Sequence, residues 1–427
     1  MPLKPVLGPV QLVFYSVGVI VGAGVYSVIG TAAGLAQQGL WLSFVIGAAV
    51  ALLTAISYAE LATAYPEAGA EYIYVRRAWP KAEWLSFAVG VVILIGGAAA
   101  AATVAIAFGG YLRTFVDVPP AWSALALLIV CTAFNIWGLR ESSWANIMFT
   151  SIEVGGLLLV IAAGLARETG PPPPPTAVGT EPAIMAAAAL LFFVYLGFEE
   201  VANMVEEVRR PERDLPLALF VSIAVTTVLY VLVALAVVHM VPPAELAASE
   251  APLTEAIRSV WPDTGNLLSA IALFATANTV LITVIAASRL TFSMARDGEL
   301  HGMFAGLLAR RQTPWVAAIL TLVMAAVLLP IGSVKILAEI SSFAALVAFV
   351  AVNVVLIALR YKHPHHPRPF RVPGAIGRMP VLPLAAIVSI LVLLVHFDWQ
   401  IYLAGGIALG LTALAFLVRQ LARGSKG

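Results

Sequence analysis

Charge is what this chain has least of. Only 11% of its 427 residues are Asp, Glu, Lys or Arg, against about a quarter in a soluble domain. A soluble globular fold is therefore excluded. The net charge of +1 leaves no basic footprint for nucleic acid. Cys131 is the only cysteine, which excludes a disulfide framework and a cysteine metal site, and inside its apolar run it reads as packing. With no external cysteine to link an accessory chain, a lone subunit is expected. His-Glu-x-x-His, Gly-x-Ser-x-Gly and a phosphate-cradling glycine loop with lysine are all absent. Those motifs carry zinc-protease, hydrolase and P-loop chemistry, so neither an enzyme nor a cofactor is expected. Lys4 and Pro5 lead into the first apolar run with no small-residue cleavage pattern, so no cleavable signal is expected.

What the chain has is hydrophobicity: 61% apolar residues and a mean hydropathy of +0.97. Runs long enough to cross a bilayer, roughly 17–25 residues each, fall at 10–36, 40–64, 85–111, 121–139, 146–165, 184–205, 215–240, 266–293, 315–332, 336–360, 380–397 and 400–421. The expectation is an all-α polytopic membrane protein with twelve transmembrane helices. With the N-terminus inside, twenty Lys and Arg residues fall in inner segments and four in outer ones. By the positive-inside rule both termini are cytoplasmic and the protein sits in the inner membrane. A Pro-rich stretch from Gly170 through Pro175 to Pro182 reads as a stiff external linker. It divides a first five-span set (1–166) from a second (184–361), across the linker at 167–183. A basic internal loop with two extra spans (362–427) follows. Five is odd, so the two sets have opposite topology.

Each set opens on an interrupted span. The first holds Gly22-Ala23-Gly24-Val25-Tyr26, the second Tyr195-Leu196-Gly197-Phe198-Glu199-Glu200. A bilayer offers no water to freed backbone groups, so a spanning helix breaks only where those groups face protein, solute or a wet cavity. Breaks at matching places in two halves point to a transporter's binding site. Small residues at 22–24 let a solute approach, and the following half-helix directs its N-terminus at the gap, which suits a carboxylate. The same residues also suit helix packing. Glu199 and Glu200 point about 100° apart on a helix. A functional role is favoured for Glu199, and a backbone-satisfying role for Glu200. Glu153 stands about two turns into span five with no basic residue nearby in sequence, which makes it a proton-relay or cation-ligand candidate. In span eight, Thr279 and Thr283 are expected to bond their own backbone. His363, His365 and His366 read as solvated loop residues, and His239 and His396 as interfacial.

Four ordered motifs carry a resemblance. They are Tyr58-Ala59-Glu60-Leu61 with Tyr65-Pro66-Glu67-Ala68-Gly69-Ala70-Glu71-Tyr72; Gly197-Phe198-Glu199 with Glu206-Glu207-Val208-Arg209-Arg210-Pro211; Ser288-Arg289 with Ala295-Arg296-Asp297-Gly298; and Arg368-Pro369-Phe370-Arg371-Val372-Pro373. Together they resemble the amino acid–polyamine–organocation transporters over essentially the whole chain. The resemblance implies a LeuT-like five-plus-five inverted repeat with broken helices one and six, plus two extra helices. It implies an amino acid held between spans one and six, its carboxylate at the amides of Ala23 and Gly24 beside Gly22. The ammonium would meet carbonyls near Ile20, Phe193 and Leu196, next to Gly197 and Glu199. Phe193 matches the aromatic gate. Many relatives carry a lysine where Glu153 falls, so the sodium-replacing ammonium is not carried over. Ser288 is the expected span-eight neighbour of Glu153. The expected function is amino acid import, with a proton carried by Glu153. The alternatives are an exchanger or sodium-coupled carrier, and an amine or polyamine transporter drawn by Glu199 and Glu200.

Overall fold

The computed structural model describes residues 8–66, 70–138, 143–167, 178–202, 204–309 and 311–424. Seventeen helices are described. They are α1 (Pro9–Val21), α2 (Gly24–Ala36), α3 (Leu40–Ala64), α4 (Ala70–Ala78), α5 (Glu83–Leu112), α6 (Pro120–Trp137), α7 (Ser143–Ala166), α8 (Glu181–Leu191), α9 (Phe198–Ala202), α10 (Pro211–Met240), α11 (Pro243–Ala248), α12 (Pro252–Arg258), α13 (Gly265–Arg296), α14 (Trp315–Leu328), α15 (Val334–Lys362), α16 (Val381–Leu394) and α17 (Trp399–Gly424). A two-stranded hairpin, β1 (Ala375–Ile376) and β2 (Met379–Pro380), precedes α16.

The chain is an all-α polytopic membrane protein. Among the described residues nine helices are long and apolar enough to span, and α1 with α2 forms a tenth, bent by 45°. Two of the twelve expected spans are shorter. α16 has 14 residues, about 21 Å at 1.5 Å per residue, against a hydrocarbon core of about 30 Å. α14 is extended by a 3₁₀ turn at Leu329–Ile331, which ends at Gly332 in the left-handed region. Helix ends follow ordinary chemistry. Proline occupies the first turn of α1, α6, α8 and α10, where no amide donor is required. Gly138, at φ +83°, terminates α6. Sequence reading missed α4, the short helix between α3 and α5, and the pair α11 and α12 between α10 and α13. The Pro-rich stretch 170–175, with Glu67–Gly69 and Arg140, lies outside the described residues.

At the centre α5 packs on α13 and α15. α1 packs on α10 and α7, and α2 on α8 and α11. The two interrupted spans are thus enclosed by α3, α7, α10 and α13. α17 lies outside, its apolar side chains Leu403, Leu411 and Leu414 exposed, as suits contact with lipid.

Candidate functional site

Span one stops at Val21 and restarts at Gly24. The break leaves amides without intrahelical partners. One has a protein partner: Ala23 N–H donates to Thr279 Oγ1 of α13 at 2.8 Å. Gly24 faces span six, where a Cβ would stand 3.1 Å from Val194 Cα. A side chain here would push the two interrupted spans apart.

Span six winds from α8 into a 3₁₀ turn at Phe192–Tyr195, then extends at Leu196 with ψ 140°. Gly197 follows at φ +118°, a region closed to ordinary side chains. A Cβ there would also meet Val19 Cγ1 at 2.7 Å and Val19 O at 2.9 Å. Both the turn and the approach to α1 therefore require glycine. Gly197 N–H donates to Glu199 Oε2 at 2.9 Å, so the Glu199 carboxylate caps the restarted helix. That is the backbone-satisfying role expected of Glu200, and it occupies one oxygen of the residue favoured for function.

Tyr230 of α10 joins the two breaks. Its hydroxyl donates to Ile20 O at 2.8 Å and lies 3.3 Å from Val194 O. Both carbonyls belong to interrupted spans. The ring is fixed by Tyr195 at 5.8 Å and Phe44 at 5.5 Å between centroids. Nothing in the local pattern of span seven marks this tyrosine. Of the expected ammonium acceptors, Ile20 O has Tyr230 as donor, and Phe193 O accepts from Leu196 N at 3.3 Å. A carbonyl oxygen has two lone pairs, so each keeps capacity for another donor. Phe193 is buried in the 3₁₀ turn, 5% exposed. Its neighbour Phe192 meets Phe349 of α15 at 5.9 Å.

Glu153 is 1% exposed on α7. Asn278 Nδ2 of α13 donates to its Oε1 at 3.1 Å, and Tyr26 Oη of α2 donates to its main-chain carbonyl at 2.8 Å. The next residue after Asn278 is Thr279, which holds the Ala23 amide. Two successive residues of α13 therefore connect the buried acid to the break in span one. Thr279 was expected to bond its own backbone; its hydroxyl instead accepts from span one, because the freed amide leaves a donor within reach. Thr283 does bond its own helix, at Thr279 O, 2.8 Å.

Ser288 is not the neighbour of Glu153. Its hydroxyl accepts from Asn135 Nδ2 of α6 at 2.9 Å and donates to Ile285 O at 2.9 Å. It stands ten residues beyond Asn278, about 15 Å along the helix, and it joins α13 to α6.

Below span six three rings meet edge-on or tilted: Tyr58 of α3, Phe198 of α9 and Phe349 of α15, with centroids 5.4 to 5.6 Å apart. Tyr58 Oη donates to Glu71 of α4 at 2.6 Å. Burial pushes the Glu71 carboxyl up to about 7; the tyrosine bond opposes this and the Glu200 charge adds to it. Cys131 is buried, near Ala277 O, as packing predicts. His366 is not merely solvated: its ring stacks on Tyr65 at 4.4 Å and its Nε2 lies 2.9 Å from Ala64 O. Among the described residues no group of His, Cys, Asp and Glu could hold a metal.

The family model for amino acid permeases matches residues 7–411. The chain belongs to the amino acid permease family. It is similar to a branched-chain amino acid permease of Bacillus subtilis, 29% identical over 93% of this chain and 89% of that protein. A methylthioribose transporter of the same organism is 28% identical over 90% and 86%. A vacuolar cationic amino acid transporter of Arabidopsis thaliana is 33% identical over 84% and 64%. The resemblance drawn from the loop motifs therefore holds: this permease is a multi-pass membrane protein with a small-molecule substrate.

Proposed function

We propose that this permease imports an amino acid by alternating access, coupled to a proton carried by Glu153. The names of its relatives span branched-chain and cationic amino acids, which supports an amino acid as cargo. The substrate's charged main-chain groups lie between the two breaks. Gly24 N–H and the positive end of α2 receive the carboxylate. Ile20 O and Leu196 O receive the ammonium, and Phe193 covers the site. The chain divides into two oppositely oriented sets of five spans, with both termini cytoplasmic.

One observation carries the coupling: Asn278 and Thr279 are adjacent, and one binds the acid while the other binds the break. An ionised Glu153 only accepts hydrogen bonds, whereas a protonated one also donates. Protonation therefore changes what holds α13 against α7, and with it the position of Thr279 under Ala23. A ligand shifts a conformational equilibrium only by its differential affinity for the two states. Here the proton and the amino acid each favour one arrangement of the same α13 segment.

The test is uptake of labelled amino acids into proteoliposomes under an imposed inward proton gradient at fixed sodium. Gradient-stimulated net uptake is expected. Counterflow without net uptake would make the protein an exchanger. That second reading has its own support, since the Asn278 bond would equally suit a carboxylate that only fastens α7 to α13.

A further inference from the structure

Beyond the transport site, the loop after α15 builds a second polar site. Its floor is Glu60 of α3, 0% exposed, with Arg360 of α15, 3% exposed. Arg360 Nε donates to Glu60 Oε1 at 2.9 Å, Arg360 Nη2 pairs with Oε2, and Arg368 Nε adds a contact to Oε1 at 3.1 Å. Val372 N–H donates to Oε2 at 2.7 Å. The lone carboxylate is thus saturated by two guanidiniums and an amide. Above it opens a cavity of about 330 Å³ lined by Arg360, Arg368, Arg371, Arg378, His365 and His366.

The charge does not balance. Four arginines face this cavity and Glu60 is the one acid bonded to any of them among the described residues. Arg371 and Arg378 are exposed and make no ion pair among those residues. Arg360 Nη1 is buried without an acceptor. Buried guanidinium donors are normally satisfied, so the floor carries positive charge that its own acceptors do not fully use. Arginine forks match phosphate geometry, and several acting together suit one phosphate group. The position fits as well. Arg378 sits in the β1–β2 turn, where Gly377 adopts φ +62°. Ile376 beside it is 78% exposed, and the apolar helix α16 begins three residues after Arg378. An apolar tip and a guanidinium at a span end are suited to the headgroup layer.

We propose that this cavity binds a phosphate-bearing anion, held by Arg371 and Arg378 above the floor that Glu60, Arg360 and Arg368 form, where Arg368 is fixed by Glu60 and the carbonyls of Leu359, His363 and His366. The phosphate belongs either to an anionic lipid headgroup or to a free solute. The full-length protein and an Arg371→Ala/Arg378→Ala double variant would be compared in two arms. In the first, inorganic phosphate is titrated at constant ionic strength against chloride, and thermal unfolding is followed. In the second, the proteins are placed in nanodiscs of phosphatidylglycerol or phosphatidylcholine, and retained lipid is counted by native mass spectrometry. Phosphate stabilisation weakened roughly tenfold or more in the variant, from loss of two charge-assisted contacts, supports the site with a free ligand. Phosphatidylglycerol retained by the parent and lost from the variant supports it with a lipid. If neither anion distinguishes the two proteins, the site is refuted. Amino acid exchange by the variant shows that it is folded, since neither arginine belongs to the transport site.

Discussion

Replacing Tyr230 with phenylalanine removes one hydroxyl and nothing else. The ring, held between Tyr195 and Phe44, keeps its packing. What is lost is the donor to Ile20 O at 2.8 Å and its weaker approach to Val194 O at 3.3 Å. Tyr230 is 0% exposed, so water does not replace it. Leaving a buried acceptor unsatisfied costs about 1–3 kcal/mol. At 1.4 kcal/mol per decade that is roughly a 5- to 150-fold shift against the arrangement in which the two breaks meet. The assay is equilibrium unfolding in mixed micelles of a denaturing detergent, alongside uptake in proteoliposomes. Tyr230→Phe should lose stability in that range and bind substrate more weakly, because Ile20 O is no longer fixed. Tyr230→Ala should lose a further increment for the ring. A phenylalanine variant within about 0.5 kcal/mol of the parent, the scatter of neutral substitutions, with unchanged uptake, would refute a bridging role.

Gly197→Ala should give little folded protein by fluorescence-detected gel filtration, since φ +118° and the 2.7 Å approach to Val19 both oppose a Cβ; such backbone strain alone costs about 1–3 kcal/mol. Glu71 supplies a pH dependence. Its carboxyl titrates at about 7 in the fold against 4.5 ordinarily, so the native state holds the proton more tightly. The associated stability is present at low pH and is lost as pH rises from about 4.5 through about 7. Thermal unfolding against pH should show that decline, and Glu71→Gln should flatten it.

The spans were legible because hydropathy is a one-dimensional property, and the breaks because Gly22 and Gly197 interrupt apolar runs with residues no lipid-facing helix needs. The partners of the breaks were not. Ala23 and Thr279 are 256 residues apart, and Tyr230 and Ile20 are 210 apart. Rotation and height of one helix against another decide such pairs, and neither is written in local spacing. Ser288 shows the consequence: the right helix was chosen, but the wrong turn of it. Glu199 shows another. Two adjacent acids could not be assigned by pattern, because Gly197's left-handed turn decides which carboxylate reaches the freed amide. α14 was overestimated in length because apolar composition continues past the point where Pro330 and the 3₁₀ turn end the regular helix, and α16 because the apolar run goes on through Val395 and Phe397 after the helix ends at Leu394.

The most direct test of the coupling is uptake in proteoliposomes by the parent and by Glu153→Gln, with and without an inward pH gradient at fixed sodium. The amide keeps an acceptor for Asn278 Nδ2 but binds no proton. Gradient-driven uptake should be lost in the variant while exchange of amino acid for amino acid persists. Gradient-driven uptake that survives in Glu153→Gln would contradict the proton-carrier role and leave Glu153 as a fastening between α7 and α13.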